Sequence, residues 1–138
     1  MMELNLFDEL WLEENGTTES DISYLDERMD YEFPPDFSEL YKQTNGFRAR
    51  LGELYIEFWG IEEITSFNEI YEDAICGQYV FFASSDEGYD SYAYKKETGE
   101  IYVFPTDCGI DDISDGRFCA YDLSGLIECW NKKAQSDF

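Results

Sequence analysis

The chain contains no histidine, only nine lysine and arginine residues and only four cysteines among its 138 residues. Without histidine, the commonest general base and most serine- and cysteine-based catalytic dyads are excluded. The cysteines form no C-x-x-C pair, and a zinc site is therefore not predicted. They are Cys76, Cys108, Cys119 and Cys129. The chain also has no Walker loop and no G-x-G-x-x-G motif.

Carboxylates do not point to a catalytic or metal site either. With 32 Asp and Glu residues, carboxylate pairs arise by chance, so their presence does not indicate a glycosidase or a two-metal site. Residues 111–116 superficially resemble a calcium loop, but the alternating carboxylates and the terminal Glu are missing. We therefore expect a protein that is not an enzyme, with no catalytic residues, no cofactor and no bound metal.

Long apolar runs are absent as well. Residues 1–10 carry no basic residue, unlike the start of a secretory signal peptide. No stretch is long and apolar enough to span a membrane. We therefore expect a cytoplasmic protein whose thiols stay reduced.

Acidic residues are in large excess, and the formal net charge is −23. A magnitude of roughly 2–8 usually keeps a small domain soluble. A field of this sign repels nucleic acid and anionic membranes, and it attracts basic proteins. The charge therefore favours a basic protein partner, with solubility alone as the other interpretation.

Five segments have apolar residues at helical spacing. The predicted helices cover residues 6–11, 22–29, 35–44, 61–72 and 123–130. Ser20 or Asp21 would cap the second, and Asn45-Gly46 would close the third. Asp122 or Ser124 would begin the last.

Strand patterns lie between these helices. Alternation over residues 51–58 predicts a strand with one solvent-exposed face, and the apolar run over residues 79–83 predicts a central strand. Residues 92–94 and 101–104 form a predicted hairpin around residues 95–99. Because the strands are grouped, we expect an α+β fold in residues 1–138, one domain with an antiparallel meander sheet covered by N-terminal helices and a C-terminal helix.

Charge is unevenly distributed along the chain. Residues 51–94 hold ten carboxylates and no Lys or Arg. Acids give orientation and association rate, whereas aromatic residues give affinity, so Tyr89 is the predicted exposed anchor and Trp59 and Trp130 are predicted core residues. The predicted partner-binding residues are Glu53, Glu57, Asp86, Glu87, Tyr89, Asp90, Asp107, Asp111, Asp112 and Asp115.

Several motifs resemble the SUKH superfamily, which is named partly for a yeast cell-wall synthesis regulator and is common among bacterial toxin-immunity proteins. The most specific is Phe33-Pro34-Pro35-Asp36-Phe37, followed by Asn45-Gly46. Further similarities lie at residues 22–29, 58–71, 82–94 and 99–102. The resemblance implies a protein that binds and neutralises a cognate secreted toxin, often a nuclease.

Two function hypotheses follow from charge and resemblance together. In the first, the chain is an immunity protein whose acidic surface masks a basic toxin. In the second, it is a regulatory or scaffold protein of the same fold with another protein partner. A metal-dependent enzyme is the third and weakest reading, because no motif supports it.

Overall fold

The computed structural model describes residues 7–12, 15–70, 77–85, 89–105 and 115–136. Seven strands lie in these ranges: β1 (Glu9–Leu12), β2 (Phe47–Leu51), β3 (Leu54–Phe58), β4 (Tyr79–Ser85), β5 (Asp90–Lys95), β6 (Ile101–Pro105) and β7 (Arg117–Ala120). Four helices accompany them: α1 (Glu19–Met29), α2 (Pro35–Gln43), α3 (Ile61–Ile70) and α4 (Leu123–Ser136).

The strands form one antiparallel sheet in chain order, β1-β2-β3-β4-β5-β6-β7. In such a meander, alternate connections return at the same end of the sheet. The β2–β3 turn, the last residues of β4 and β6 and the first residues of β5 and β7 therefore share one end, whereas the β5–β6 turn lies at the other. The predicted α+β meander is confirmed, with β4 as its central strand.

One face of the sheet packs against α2 and α4. The ring of Phe37 in α2 lies 6.5 Å from that of Phe82 and 6.2 Å from that of Tyr94. Trp130 in α4 lies 5.7 Å from Phe58. All five side chains are buried. Trp130 is therefore a core residue, as predicted.

A second aromatic cluster lies on the opposite face. Tyr94 pairs with Ile101, and Phe104 follows Ile101 by three residues, so the side chains of Tyr94 and Phe104 point to opposite faces. Phe104 contacts Phe81 of β4 at 5.2 Å, and Phe81 contacts Phe67 of α3 at 5.4 Å. Every residue of β4 is buried, which requires cover on both faces.

The predicted helix over residues 6–11 is wrong. Residues Glu9–Leu12 form the edge strand β1, in which Leu10 lies opposite Ala49 and Leu12 opposite Phe47. A helix this short is unstable on its own, whereas pairing with β2 supplies backbone hydrogen bonds from a distant part of the chain. Leu6 lies outside the described residues.

Smaller differences concern element boundaries. The strand predicted from residue 51 begins at Leu54, after a turn through Gly52 and Glu53. Strands β2 and β7 were not predicted.

The cap of α1 is Thr18 rather than Ser20 or Asp21. The Thr18 hydroxyl accepts a hydrogen bond from the Asp21 N–H at 3.1 Å, and the Thr18 N–H donates to the Asp21 carboxylate at 2.9 Å.

The Asn45-Gly46 motif holds the start of α3. Gly46 has a φ of +83°, and a Cβ there would lie 2.6 Å from the carbonyl oxygen of Phe58. The Asn45 side-chain oxygen accepts a hydrogen bond from the N–H of Ile61 at 2.9 Å. Glycine is therefore required for both conformation and space, and the motif is structural.

Asn68 connects α3 to the central strand. Strand β3 pairs with β4 only from Ala83 onward. Next to this point, the buried Asn68 amide donates to the carbonyl of Phe81 at 2.9 Å, and its oxygen accepts from the N–H of Phe81 at 2.9 Å. Asn68 thus takes the place of a strand partner for Phe81.

Replacing Asn68 should destabilise the fold. In Asn68→Ala, the buried N–H and C=O of Phe81 lose their partner, so we expect the free energy of unfolding to fall by about 2–4 kcal/mol. Urea unfolding at pH 7 measures this. The exposed Ser66 of the same helix provides the control, and Ser66→Ala should change stability by less than about 0.5 kcal/mol. Equal effects of the two variants on stability would contradict the role of Asn68 in connecting α3 to β4.

Candidate partner-binding site

Acidic side chains gather at the end of the sheet that contains the β2–β3 turn. Glu53 lies in that turn, Asp90 begins β5, and Asp115 comes shortly before β7. We call this surface the acidic end, and it comprises Asp8, Glu9, Glu53, Tyr89, Asp90 and Asp115. The strand order therefore places four of the predicted binding residues along one end of the sheet: Glu53, Tyr89, Asp90 and Asp115.

Arg50 organises one side of the acidic end. Its guanidinium donates to the Glu9 carboxylate at 3.1 Å and to the Gly52 carbonyl at 2.5 Å. The N–H of Gly52 donates to the Asp8 carboxylate at 2.7 Å. Asp8 and Glu9 therefore hold the turn in place, and Arg50 offsets part of their charge.

The remaining acids of this surface differ in their environment. Asp90 lies 3.5 Å from the ammonium group of Lys133 in α4. Glu53 and Asp115 are exposed and form no ion pair with another described residue. Arg117, at the start of β7, is a further exposed cation at this end. Glu53 and Asp115 are therefore the carboxylates most available to a partner.

Tyr89 is 61% exposed and directly precedes Asp90. This exposure agrees with the predicted position of an anchor, and its contact with a partner stays a prediction. The other predicted loop residues lie outside the described residues. They are Asp86, Glu87, Asp107, Asp111 and Asp112.

Glu57 lies apart from the acidic end, on the face of the sheet. Its cross-strand neighbours are Arg48 of β2 and Ser84 of β4. Burial raises the pKa of Glu57, the nearby Glu63 carboxylate raises it further, and Arg48 opposes both. The charged form of Glu57 is thus disfavoured in the folded protein.

Glu57→Gln should stabilise the protein at neutral pH. A carboxyl whose pKa is raised on folding contributes stability below its unfolded pKa, and this is lost as pH rises through the folded pKa. We therefore expect Glu57→Gln to raise the urea midpoint at pH 7, and the gain to disappear below the usual value near 4.5.

The control for this prediction is Glu97→Gln, in the exposed β5–β6 turn. This variant also removes one negative charge from a highly acidic chain. It therefore measures the gain in stability that comes from reduced charge repulsion alone. A gain at pH 7 no larger than that of Glu97→Gln would contradict the effect of burial on Glu57.

Strands β1, β2 and β3 expose a charged and aromatic face that adjoins the acidic end. Two cross-strand rows form this open face: Trp11–Arg48–Glu57 and Glu9–Arg50–Tyr55. The face is therefore rich in the residue types, Trp, Tyr and Arg, that dominate binding energies at interfaces.

The aromatic side chains of the open face are accessible to a partner. Trp11 is 45% exposed and Tyr55 is 52% exposed. Sequence reasoning missed Trp11 because it assigned residues 6–11 to a helix. The signal was the alternation of Glu9 and Trp11 with Leu10 and Leu12, which indicates a strand with two different faces.

The described residues contain neither a metal site nor a membrane-spanning helix. No group of three or more Cys, Asp or Glu side chains in them is arranged to hold a metal ion. None of the helices in the described ranges is long and apolar enough to cross a membrane.

The sequence model of the SMI1 / KNR4 family (SUKH-1) matches residues 16–128. The chain therefore belongs to this family, and the resemblance seen in its motifs is confirmed. No curated protein matches the chain. Family membership is consistent with an immunity or regulatory role and with binding to a protein partner. The matched region includes most of the acidic end but not strand β1.

Proposed function

We propose that this protein is an immunity protein that binds and neutralises a cognate secreted toxin. The acidic end of the sheet and the adjoining open face form the binding surface. The observation that carries the proposal is that Glu53, Asp90 and Asp115 lie along the same end of the sheet as the exposed Tyr89. Membership of the SUKH-1 family supports the class of protein.

The charge of the chain supports a basic toxin domain as the partner. Nuclease domains carry cationic surfaces because they bind phosphate. An excess of 23 negative charges attracts such a surface, and electrostatic steering can raise association rates to the order of 10⁸ M⁻¹s⁻¹. Binding of the acidic end to the cationic surface would block access of the nucleic acid. The proposed partner is therefore a basic, nuclease-type toxin domain.

Affinity comes from the aromatic residues beside these charges. Exposed carboxylates pay a desolvation cost on binding, and pairs at an interface rim contribute mainly to rate. Tyr89 lies at the acidic end, and Trp11 and Tyr55 lie on the open face. These three side chains can bury apolar area at a small entropic cost.

The second candidate function uses the same surface for a different partner. A regulatory or scaffold protein of this family would bind a cellular protein that is not toxic. Its partner would not be encoded beside it, whereas an immunity gene lies next to the gene of its toxin. The two functions are therefore separated by testing the neighbouring gene product.

Co-expression tests the proposal directly. The candidate toxin domain encoded by the neighbouring gene is produced in a bacterial host, with or without this chain. We expect growth to stop without the chain and to resume with it, and the two proteins to purify as one complex. Continued growth arrest, together with recovery of a non-toxic complex from the native host, would favour the regulatory function.

A matched pair of variants locates the binding surface. Glu53→Gln with Asp115→Asn removes two charges from the acidic end. The control, Glu62→Gln with Glu97→Gln, removes two exposed charges in α3 and the β5–β6 turn. At low salt, the first variant should slow association about threefold to tenfold, and the control less than about twofold. Equal slowing would show that net charge, not the acidic end, steers the partner.

A further inference from the structure

Two cysteines meet between the edge strand β7 and helix α4. The Sγ atoms of Cys119 and Cys129 are 3.5 Å apart, and both thiols are free and half-buried. They line a groove of about 770 Å³ between the strand and the helix, next to Phe118 and Tyr121. Cys119 lies in β7 and Cys129 in α4.

We infer that Cys119 and Cys129 are a modification site, at which a reversible intrachain disulfide joins β7 to α4. An S–S bond is about 2.05 Å long, so the sulfurs need to approach by roughly 1.5 Å. Rotation about the Cα–Cβ bonds of the two cysteines is the motion that would bring the sulfurs together. The groove gives a small disulfide oxidant access to the pair. This inference does not depend on the proposed function.

The reaction is a thiol–disulfide exchange with an oxidant such as oxidised glutathione. The Cys129 thiolate attacks one sulfur of the oxidant, and one glutathione leaves as a thiolate. The Cys119 sulfur then attacks the Cys129 sulfur, loses its proton and displaces the second glutathione. Two protein thiols are oxidised to one disulfide, and one molecule of oxidised glutathione is reduced to two of glutathione.

The local environment of Cys119 favours Cys129 as the first nucleophile. Burial and the neighbouring Cys129 raise the pKa of Cys119 to about 12. Cys119 is therefore a poor first nucleophile at neutral pH, because the thiolate is the reactive form. Once Cys129 carries glutathione, its sulfur lies next to Cys119, and proximity favours ring closure.

The bond would restrain one of the two edge strands of the described sheet. Strand β7 has only β6 as a described strand neighbour, and such edges are open to pairing with other chains. Helix α4 also carries Trp130, which packs against Phe58 in the core. The disulfide would therefore tie the edge of the sheet to a helix that is held by the core.

Tryptic peptide mapping of the chain without any substitution tests the inference directly. Cleavage after Arg117 and Lys132 places Cys119 and Cys129 on one peptide, residues 118–132, and places Cys76 and Cys108 on two others. The chain is treated with oxidised glutathione, alkylated and digested. We expect peptide 118–132 to lose two hydrogens and to resist alkylation, and reduction by dithiothreitol to reverse both changes.

Two other results would overturn the inference. A peptide 118–132 that stays alkylated at both cysteines, or that stops at a stable glutathione adduct, would show that the pair does not close. A link to another peptide or another chain would show a different pairing. The Cys119→Ser variant is the control. Under the same conditions, its Cys129 should form a glutathione adduct that reacts no further, which shows that Cys129 is accessible and that Cys119 is needed to form the disulfide.

Discussion

Burial of aromatic side chains on both faces of β4 is the constraint on which the remaining structure depends. Phe82 packs toward Phe37 and Tyr94, whereas Phe81 packs toward Phe104 and Phe67. Each such side chain contributes about 1.5–3 kcal/mol when fully buried, and this burial opposes the self-repulsion of a chain with a net charge of −23. It also sets the register of the neighbouring strands. Because the strands are antiparallel and follow chain order, the described acids Glu53, Asp90 and Asp115 lie along one end of the sheet.

The parts of the fold that could be predicted were those with a local signal. Strand β4 is a continuous apolar run, and the apolar residues of α1, α2 and α4 recur at helical spacing. Strand β1 could not be separated from a helix over so few residues, because its stability comes from pairing with β2, which is distant in the sequence. The sequence of β2 did carry a signal, since apolar residues alternate with arginine from Phe47 to Leu51. Recognising this alternation would have predicted the strand with which β1 pairs.

The candidate site was predictable in composition but not in arrangement. Sequence alone indicated Tyr89, Asp90 and Asp115 as surface residues because they lie in polar segments near strand ends. It indicated Glu53 because that residue lies on the exposed face of the predicted strand over residues 51–58. It did not show that they share one end of the sheet, since that requires the strand order. Glu57 lies apart from them, on the open face between Arg48 and Ser84. The motif residues Asn45, Gly46 and Asn68 have structural roles, so this part of the family signal indicates the fold and not a binding surface.

Hydrogen exchange tests most directly whether the acidic end binds the partner. Backbone amide exchange of the chain is measured by mass spectrometry, alone and in complex with the toxin domain, at short labelling times. The account predicts slower exchange on binding for residues 52–54, 89–90 and 115–117, with no change for residues 96–99 in the β5–β6 turn at the opposite end. Protection of residues 96–99, with unchanged exchange at the acidic end, would contradict it.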